Sequence, residues 1–337
     1  MTVLVTGGAG FLGSHLVELL LQDGESPRVL VRPGEDVTAL AADEVDIRWG
    51  DLTDPAALAS ATRGVDRVLH CAARTGPWGP AGEYERVNVR GLETLVRTAL
   101  AAGVRRLVHV SSITVQGNDV RGAADETAAL REERNPYSRS KVAGERMLER
   151  MIREEAAPVT IVRPGWIYGP RDRASFARLT DMIATGRMVV VGAGDNHLPL
   201  IYVRDVARGI LIAAESEQAL GRPYVLVNDE HVTQWEFLGA IAAELGVPAP
   251  KRHLPYRLAL TAGATAEALG RLARRREPPP VMRYGLQLLG GENRFDMTRA
   301  REELGFDPLV DLAEGVRRAV AWYRGAGERA QPAAVAA

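Results

Sequence analysis

Tyr137 and Lys141 stand four residues apart in the run Pro136-Tyr137-Ser138-Arg139-Ser140-Lys141. On a helix that spacing sets a phenol and an ammonium on one face. A neighbouring ammonium favours phenolate, which brings the phenol closer to working as a proton donor and acceptor near neutral pH. A second constellation opens the chain, in Thr6-Gly7-Gly8-Ala9-Gly10-Phe11-Leu12-Gly13. Glycines at Gly7, Gly10 and Gly13 leave open backbone beside a pyrophosphate at a helix N-terminus. Hydride from a nicotinamide and a proton from Tyr137 are the minimum equipment for reducing a carbonyl or oxidising an alcohol.

Either motif alone is weak, because a Tyr-x-x-x-Lys pair also arises by chance on exposed helices. Context strengthens both. The glycines follow the apolar run Val3-Leu4-Val5 and precede Ser14 to Leu21, whose apolar positions recur at helical spacing, so they lie between a strand and a helix. Between the two motifs, Arg106 to Val110 reads as a buried strand that ends in Ser111 and Ser112. Ligands of an open parallel sheet sit beyond the carboxyl ends of its strands. Ser112 is therefore expected to hold a substrate oxygen and Ser111 to be structural.

Arg32 stands about 20 residues past the glycines, where an NAD-specific site places an acid on the ribose hydroxyls. A guanidinium there can grip a 2′-phosphate with paired hydrogen bonds, so NADP(H) is the expected cofactor and NAD(H) the alternative. Glu35 and Asp36 nearby favour the other reading, a solvated surface arginine. Ala72 and Ala73 are small enough for a cofactor to approach the backbone. His70 and Cys71 precede them, and no second cluster supplies metal ligands at the usual spacing, so both are expected to pack and no metal is expected.

The elements that must position these residues alternate as strands and helices from Val3 through Val162, the pattern of an α/β, doubly wound parallel sheet of Rossmann type. Residues 1–170 are expected to form the dinucleotide-binding domain, with a return to the sheet near 197–215 in which Asp205 caps a helix. Residues 171–196 and 216–325 are expected to form a smaller C-terminal α/β substrate cap, and 326–337 a flexible tail. The charged stretch from Asn118 to Asn135 reads as a solvated loop over the site. Arg171, Arg173 and Arg178 suit a substrate diphosphate or a coenzyme A group or, more simply, a solvated helix face. Leu254 to Arg276 reads as a cap helix whose basic end faces water, with a lid or a membrane-surface foot as the alternative.

The chain has 337 residues, 46% of them hydrophobic, and a formal net charge of −1. That charge argues against nucleic acid as the main partner. Cys71 is the sole cysteine, which excludes an intrachain disulfide framework and suits a reducing compartment. With no basic and apolar leader, and no apolar stretch near the roughly 20 residues that span a bilayer, the expected location is the cytoplasm and no transmembrane segment is expected.

In this order the motifs resemble the extended short-chain dehydrogenase/reductase superfamily, which includes the NAD-dependent epimerases and dehydratases. The resemblance covers nearly the whole chain. It rests on Thr6 to Gly13, Gly50-Asp51-Leu52, His70-Cys71-Ala72-Ala73, Val87-Asn88-Val89-Arg90-Gly91, Ser111-Ser112, Tyr137 with Lys141, and Arg163-Pro164-Gly165-Trp166-Ile167-Tyr168-Gly169-Pro170. It implies a catalytic triad of Ser112, Tyr137 and Lys141. It also implies a cofactor site of Gly7, Gly10, Phe11, Leu12, Gly13, Ala72, Ala73, Tyr137 and Lys141, with Asp51 and Leu52 bordering the adenine and Pro164 the nicotinamide. A homodimer is implied as well, paired through helices near 83–101 and 140–153.

The nearer likeness is to the 3β-hydroxysteroid dehydrogenase-like branch, with its bacterial sterol dehydrogenases and 2-alkyl-3-ketoalkanoate reductases. Ala72 to Gly79, Pro278 to Tyr284, and Asn293 to Met297 leading to Ala300–Phe306 carry it. The branch implies an apolar, sterol-like or β-keto/hydroxy acid substrate. Gln116 stands where many sugar-nucleotide members carry tyrosine, which weakens the runner-up, an epimerase or dehydratase that returns hydride to the same substrate. A non-catalytic NADP-binding regulator is the third reading, and all three residues of the triad are present against it.

Overall fold

Val3-Leu4-Val5-Thr6 has no exposed side chain. A strand buried on both faces is what a parallel sheet covered by helices requires. The computed structural model of the chain describes residues 2–40, 44–120, 122–228 and 230–330. From β1 (Val3–Thr6) the chain passes through α1 (Phe11–Gln22), β2 (Arg28–Val31), β3 (Asp46–Trp49), α2 (Pro55–Thr62), β4 (Arg67–His70) and α3 (Ala81–Tyr84). A stretch of π-helix over Glu85–Gly91 leads into α4 (Leu92–Ala101), then β5 (Arg106–Val110), α5 (Pro136–Glu155) and β6 (Val159–Pro164). There follow β7 (Trp166–Tyr168), α6 (Phe176–Ala184), β8 (Val190–Val191), β9 (Leu200–Tyr202), α7 (Val203–Glu215) and β10 (Pro223–Leu226). The chain continues with α8 (Gln234–Leu245), β11 (His253–Leu254), α9 (Tyr256–Leu272), α10 (Arg283–Gly290), α11 (Thr298–Leu304) and α12 (Leu312–Ala330).

Seven strands form one parallel sheet in the order β10-β6-β5-β4-β1-β2-β3. The order reverses between β1 and β4, the switch point at which such sheets open a crevice. Thr6 pairs with His70 and His70 with His109, so β1, β4 and β5 end almost level. The glycine turn, Cys71 to Ala73, and Ser111 with Ser112 therefore face one rim. Alternation along β1 feeds two cores. Val3 and Val5 join Leu16, Leu20 and Ile210 on one face, and Leu4 joins Leu92, Leu95 and Leu148 on the other.

Helix α5 starts where its sequence dictates. Asn135 accepts a hydrogen bond from the Ser138 amide at 2.8 Å, and Pro136 fills the first helical position. Farther along, Glu145 receives Arg163 from β6 through bonds of 2.6, 3.0 and 3.1 Å. Both side chains are buried, at 2% and 0% exposure.

Several expectations are corrected. Leu200–Tyr202 pairs with Trp166–Tyr168 in a separate two-stranded sheet, and the strand that joins the main sheet is β10. Pro223 disguises that strand, yet proline is tolerated at the start of an edge strand. Asp205 does not cap α7, because β9 runs directly into the helix at Val203; its carboxylate instead accepts the amides of Leu309 and Val310, both at 3.1 Å. The helix expected over 254–276 stops at Leu272, since Leu254 belongs to β11 and Arg274 turns left-handed. Helix α12 continues to Ala330, so the tail expected from 326 begins no earlier than 331, and residues 331–337 lie outside the described residues.

The loop before α5 is more than solvated chain. Ala124 exchanges backbone hydrogen bonds with the Arg294–Asp296 segment, and buried Glu126 accepts the Val225 amide at 2.7 Å. Removing one partner of a buried ion pair typically costs about 3–5 kcal/mol. Glu145→Gln should therefore lose stability of that order in denaturant unfolding, whereas a surface pair such as Arg153–Glu154 should contribute less than about 1 kcal/mol.

Candidate active site

The turn after β1 is glycine because nothing larger fits. Gly7 has φ +71°, and a Cβ there would stand 2.7 Å from the Ala72 amide nitrogen. A Cβ on Gly13 would stand 2.1 Å from the Gly7 carbonyl oxygen. The turn thus packs against β4 on one side and the first turn of α1 on the other. Gly10 precedes α1 with no side-chain cap on the helix amides. Uncapped amides at a helix N-terminus suit a pyrophosphate, so the residues present fit a dinucleotide.

These elements border a cleft of about 960 Å³. Gly7, Gly10, Phe11, Leu12 and Gly13 line it from the turn, and Arg32, Asp51 and Leu52 from the ends of β2 and β3. Ala72 and Ala73 line it beyond β4, and Ser112, Tyr137, Lys141 and Pro164 close the far end. Every residue singled out for catalysis or cofactor contact thus stands on one cavity. Arg32 is 64% exposed and grips Glu35 through bonds of 2.6 and 2.9 Å, so an incoming phosphate would have to compete with that carboxylate.

Lys141 is buried and donates from Nζ to the Val110 carbonyl at 2.8 Å. Its nitrogen lies 5.9 Å from the Tyr137 ring centroid. Burial lowers the Lys141 pKa to about 8, against the opposing pull of Glu145. Tyr137, half-buried, is pushed up to about 12 by desolvation, partly offset by the nearby Ser112 hydroxyl. The expected lowering of the phenol by the ammonium is thus not the dominant effect here. Desolvation wins, and the phenol holds its proton.

His70 and Cys71 behave as packing groups. The His70 Nδ1 lies 2.6 Å from the Thr6 hydroxyl oxygen, and its ring stacks on His109 at 5.2 Å. Burial, with the charge of Lys141, lowers His70 to about 3, and burial pushes the Cys71 thiol up to about 12. Of the three arginines after Pro170, Arg171 and Arg173 both line the cleft, Arg171 also binding Ser14 and Glu18 of α1 at 3.1 and 2.8 Å, whereas Arg178 binds the Pro280 carbonyl at 2.7 Å.

Asn88 has a role that the sequence reading missed. From the π-helical stretch its amide donates to Ser140 Oγ at 2.8 Å and to the Arg74 carbonyl at 3.0 Å, while its oxygen accepts the Arg74 amide at 2.7 Å. Ser140 donates to the Tyr137 carbonyl at 2.8 Å, and Ser138 to the Thr114 carbonyl at 3.2 Å. One side chain therefore joins the loop after β4 to the helix that carries Tyr137. A buried asparagine between Val87 and Val89 was the available signal. Tyr284, from α10, meets Tyr137 edge-on at 6.4 Å.

The profile of the NAD dependent epimerase/dehydratase family matches residues 3–227. The chain belongs to that family. It is an enzyme of the extended short-chain dehydrogenase/reductase superfamily. The 2-alkyl-3-oxoalkanoate reductase of Stenotrophomonas maltophilia is 32% identical over 327 residues, covering 94% of this chain and 98% of the relative. The decarboxylating sterol-4-alpha-carboxylate 3-dehydrogenase of Mus musculus is 31% identical, covering 94% and 89%. Among solved structures, the dTDP-glucose 4,6-dehydratase DesIV of Streptomyces venezuelae, with NAD and TYD bound, is 28% identical. It superposes with a TM-score of 0.78, covering 96% of this chain and 97% of that one.

The burial of Lys141 has a measurable signature. Below about pH 8 native Lys141 is charged and bears the desolvation cost. Between about 8 and its ordinary 10.5 only the unfolded chain stays protonated, so this group makes stability rise with pH. Lys141→Met, compared with wild type in urea at a series of pH values, should show its greatest relative stability at neutral pH. That difference should shrink as pH rises through this window.

Proposed function

We propose that this enzyme transfers hydride between NADP(H) and a ketone or secondary alcohol on an apolar, sterol-like or β-keto/hydroxy acid substrate. The observation that carries this is the meeting of the Tyr137 phenol, Ser112 and the buried Lys141 on one cleft at the carboxyl rim of the sheet. A bound nicotinamide supplies the hydride or takes it up. Tyr137 gives its proton to the substrate oxygen as that oxygen gains charge, and Ser112 hydrogen-bonds the same oxygen. The ammonium of Lys141, fixed on the Val110 carbonyl, stabilises the phenolate that remains.

A protonated phenol is the form that donates in reduction. Trp166, Ile167, Tyr284 and Leu288 add apolar and aromatic wall to the cleft, which suits an apolar substrate body. The names of the reductase and sterol dehydrogenase relatives support the same chemistry. We assign Gly7, Gly10 to Gly13, Asp51, Leu52, Ala72, Ala73 and Pro164 to the cofactor, and the segments after Pro170 other than α7 and β10 to substrate selection.

General acid catalysis typically contributes about 100- to 10,000-fold. Tyr137→Phe should lose ketone reduction by that order while still binding the cofactor, because the ring remains to pack; wild-type turnover in this variant rules out the assignment. For the cofactor, Arg32 is proposed to leave Glu35 for the 2′-phosphate. Charge-assisted hydrogen bonds of about 1.5–3 kcal/mol predict that Arg32→Asp weakens NADPH binding about tenfold or more and reverses the preference over NADH. Equal dissociation constants for the two cofactors in the wild type would remove that role.

A further inference from the structure

Helix α9 has an inner side that the fold uses and an outer side that it does not. Ala259, Gly263, Glu267 and Gly270 are buried, at steps of three and four residues that mark one side of a helix. Gly263 lets α10 come close, since a Cβ there would lie 2.9 Å from Leu286, and a Cβ on Gly270 would lie 3.1 Å from the Trp78 ring. Glu267 accepts the Arg283 amide at 2.8 Å and its guanidinium at 2.7 and 3.1 Å. The inner side is thereby fixed on α10, whose Tyr284 and Leu288 line the cleft.

On the outer side Leu258, Ala262, Thr265, Leu269 and Leu272 follow one another at the same helical spacing, and all are exposed. The three leucines are 57%, 61% and 83% exposed. From Leu258 to Gly270 the sole ionisable side chain is Glu267, which is turned inward. A helix that faces water ordinarily carries charged residues on that side. A single exposed leucine needs no explanation, but a charge-free stripe with three of them over about four turns does.

Charge gathers instead at the two ends of the stripe. Lys251, Arg252 and Arg257 precede or open it, and Arg271, Arg274, Arg275 and Arg276 follow it. Seven cations and one acid, the inward Glu267, thus fall within 251–276 of a chain whose net charge is −1. Trp78 holds the arginine turn in place: its Nε1 donates to the Arg275 carbonyl at 3.2 Å, and the Arg271 guanidinium stands 5.5 Å from its ring centroid. Among the described residues no carboxylate pairs with Arg274, Arg275 or Arg276, all of which are exposed.

This pattern selects its occupant. A second copy of the chain laid on the stripe, in either direction, would set cations against cations at both ends. An anionic lipid surface satisfies both parts, because leucines enter the boundary between headgroups and acyl chains while arginines meet headgroup phosphates. No helix among the described residues is long and apolar enough to cross a membrane.

We propose that α9 and the arginine turn after it form a docking surface for an anionic lipid bilayer, with the leucine stripe sunk into the headgroup boundary. The proposal stands apart from the ketone/alcohol reading. It sets the helix that backs the apolar wall of the cleft against a phase in which apolar molecules concentrate.

The test is sedimentation of the full chain with sucrose-loaded vesicles of phosphatidylcholine alone, or of phosphatidylcholine and phosphatidylglycerol in equal parts. Wild type should pellet with the mixed vesicles and stay in solution with phosphatidylcholine alone, and added salt should weaken the binding. The double variant Arg274→Gln/Arg275→Gln should lower partitioning about 30-fold, the usual effect of two cations near an anionic surface. Leu269→Asn/Leu272→Asn should lower it about tenfold or more, through lost apolar burial. Each variant should keep the wild-type midpoint in urea, because the altered side chains are exposed. Fluorescence of Leu272→Trp, which should shift to the blue on mixed vesicles alone, gives a second reading that needs no loss of binding. A wild type that stays in solution with the mixed vesicles overturns the proposal. So does undiminished binding by the leucine variant, which would leave the arginines as a non-specific patch. Dimerisation that the leucine variant abolishes, without vesicle binding by wild type, would give the stripe to a second copy and overturn it as well.

Discussion

Everything at this site depends on limiting the water around two ionisable groups, the half-buried Tyr137 phenol and the buried Lys141 ammonium. Burial disfavours the charged form of each, so it moves the phenol up to about 12 and the ammonium down to about 8. The two shifts have opposite sign and one cause. They leave a phenol that holds its proton beside an amine that can be charged or neutral near physiological pH. The Val110 carbonyl, at the open end of β5, gives the ammonium a fixed partner at 2.8 Å.

Such a pair is costly to hold, and the fold fixes its helix from several sides. Arg163 of β6 meets Glu145 in a buried ion pair one turn beyond Lys141. Asn88 and Thr114 hold Ser140 and Ser138 beside Tyr137. The level ends of β1, β4 and β5 then set the glycine turn and Ser112 along the same rim. The π-helical stretch that carries Asn88 is uncommon backbone of the kind found at functional sites, and here it directs one amide toward both the Arg74 loop and α5.

Much of this was legible in the residues themselves. The glycine turn could be read because its need is local: Gly7 must adopt positive φ, and Gly13 must admit the Gly7 carbonyl. The Tyr137–Lys141 face followed from helical spacing. What escaped reading was long-range. β10 carries proline at its first position and finds its place only by pairing with β6, more than fifty residues earlier in the chain. Asp205 resembled a cap, although its partners lie about a hundred residues onward at Leu309 and Val310. Spacing reports that an ammonium is near Tyr137, but not that Lys141 is buried or that desolvation pushes the phenol up. The engagement of Arg32 by Glu35 was visible only as a nearby charge until the turn brought them to 2.6 Å.

The central claim is that burial keeps the Tyr137 phenol protonated in the resting chain, ready to act as the acid. Tyrosine labelled with ¹³C at Cζ, with the Tyr137 resonance assigned by its loss in Tyr137→Phe, reports this ionisation directly. At about pH 10, where an ordinary phenol is half ionised, the account predicts a Tyr137 resonance still at its protonated position while exposed tyrosines have shifted. A Tyr137 resonance that is half titrated at or below about pH 10 in the protein without cofactor would contradict it.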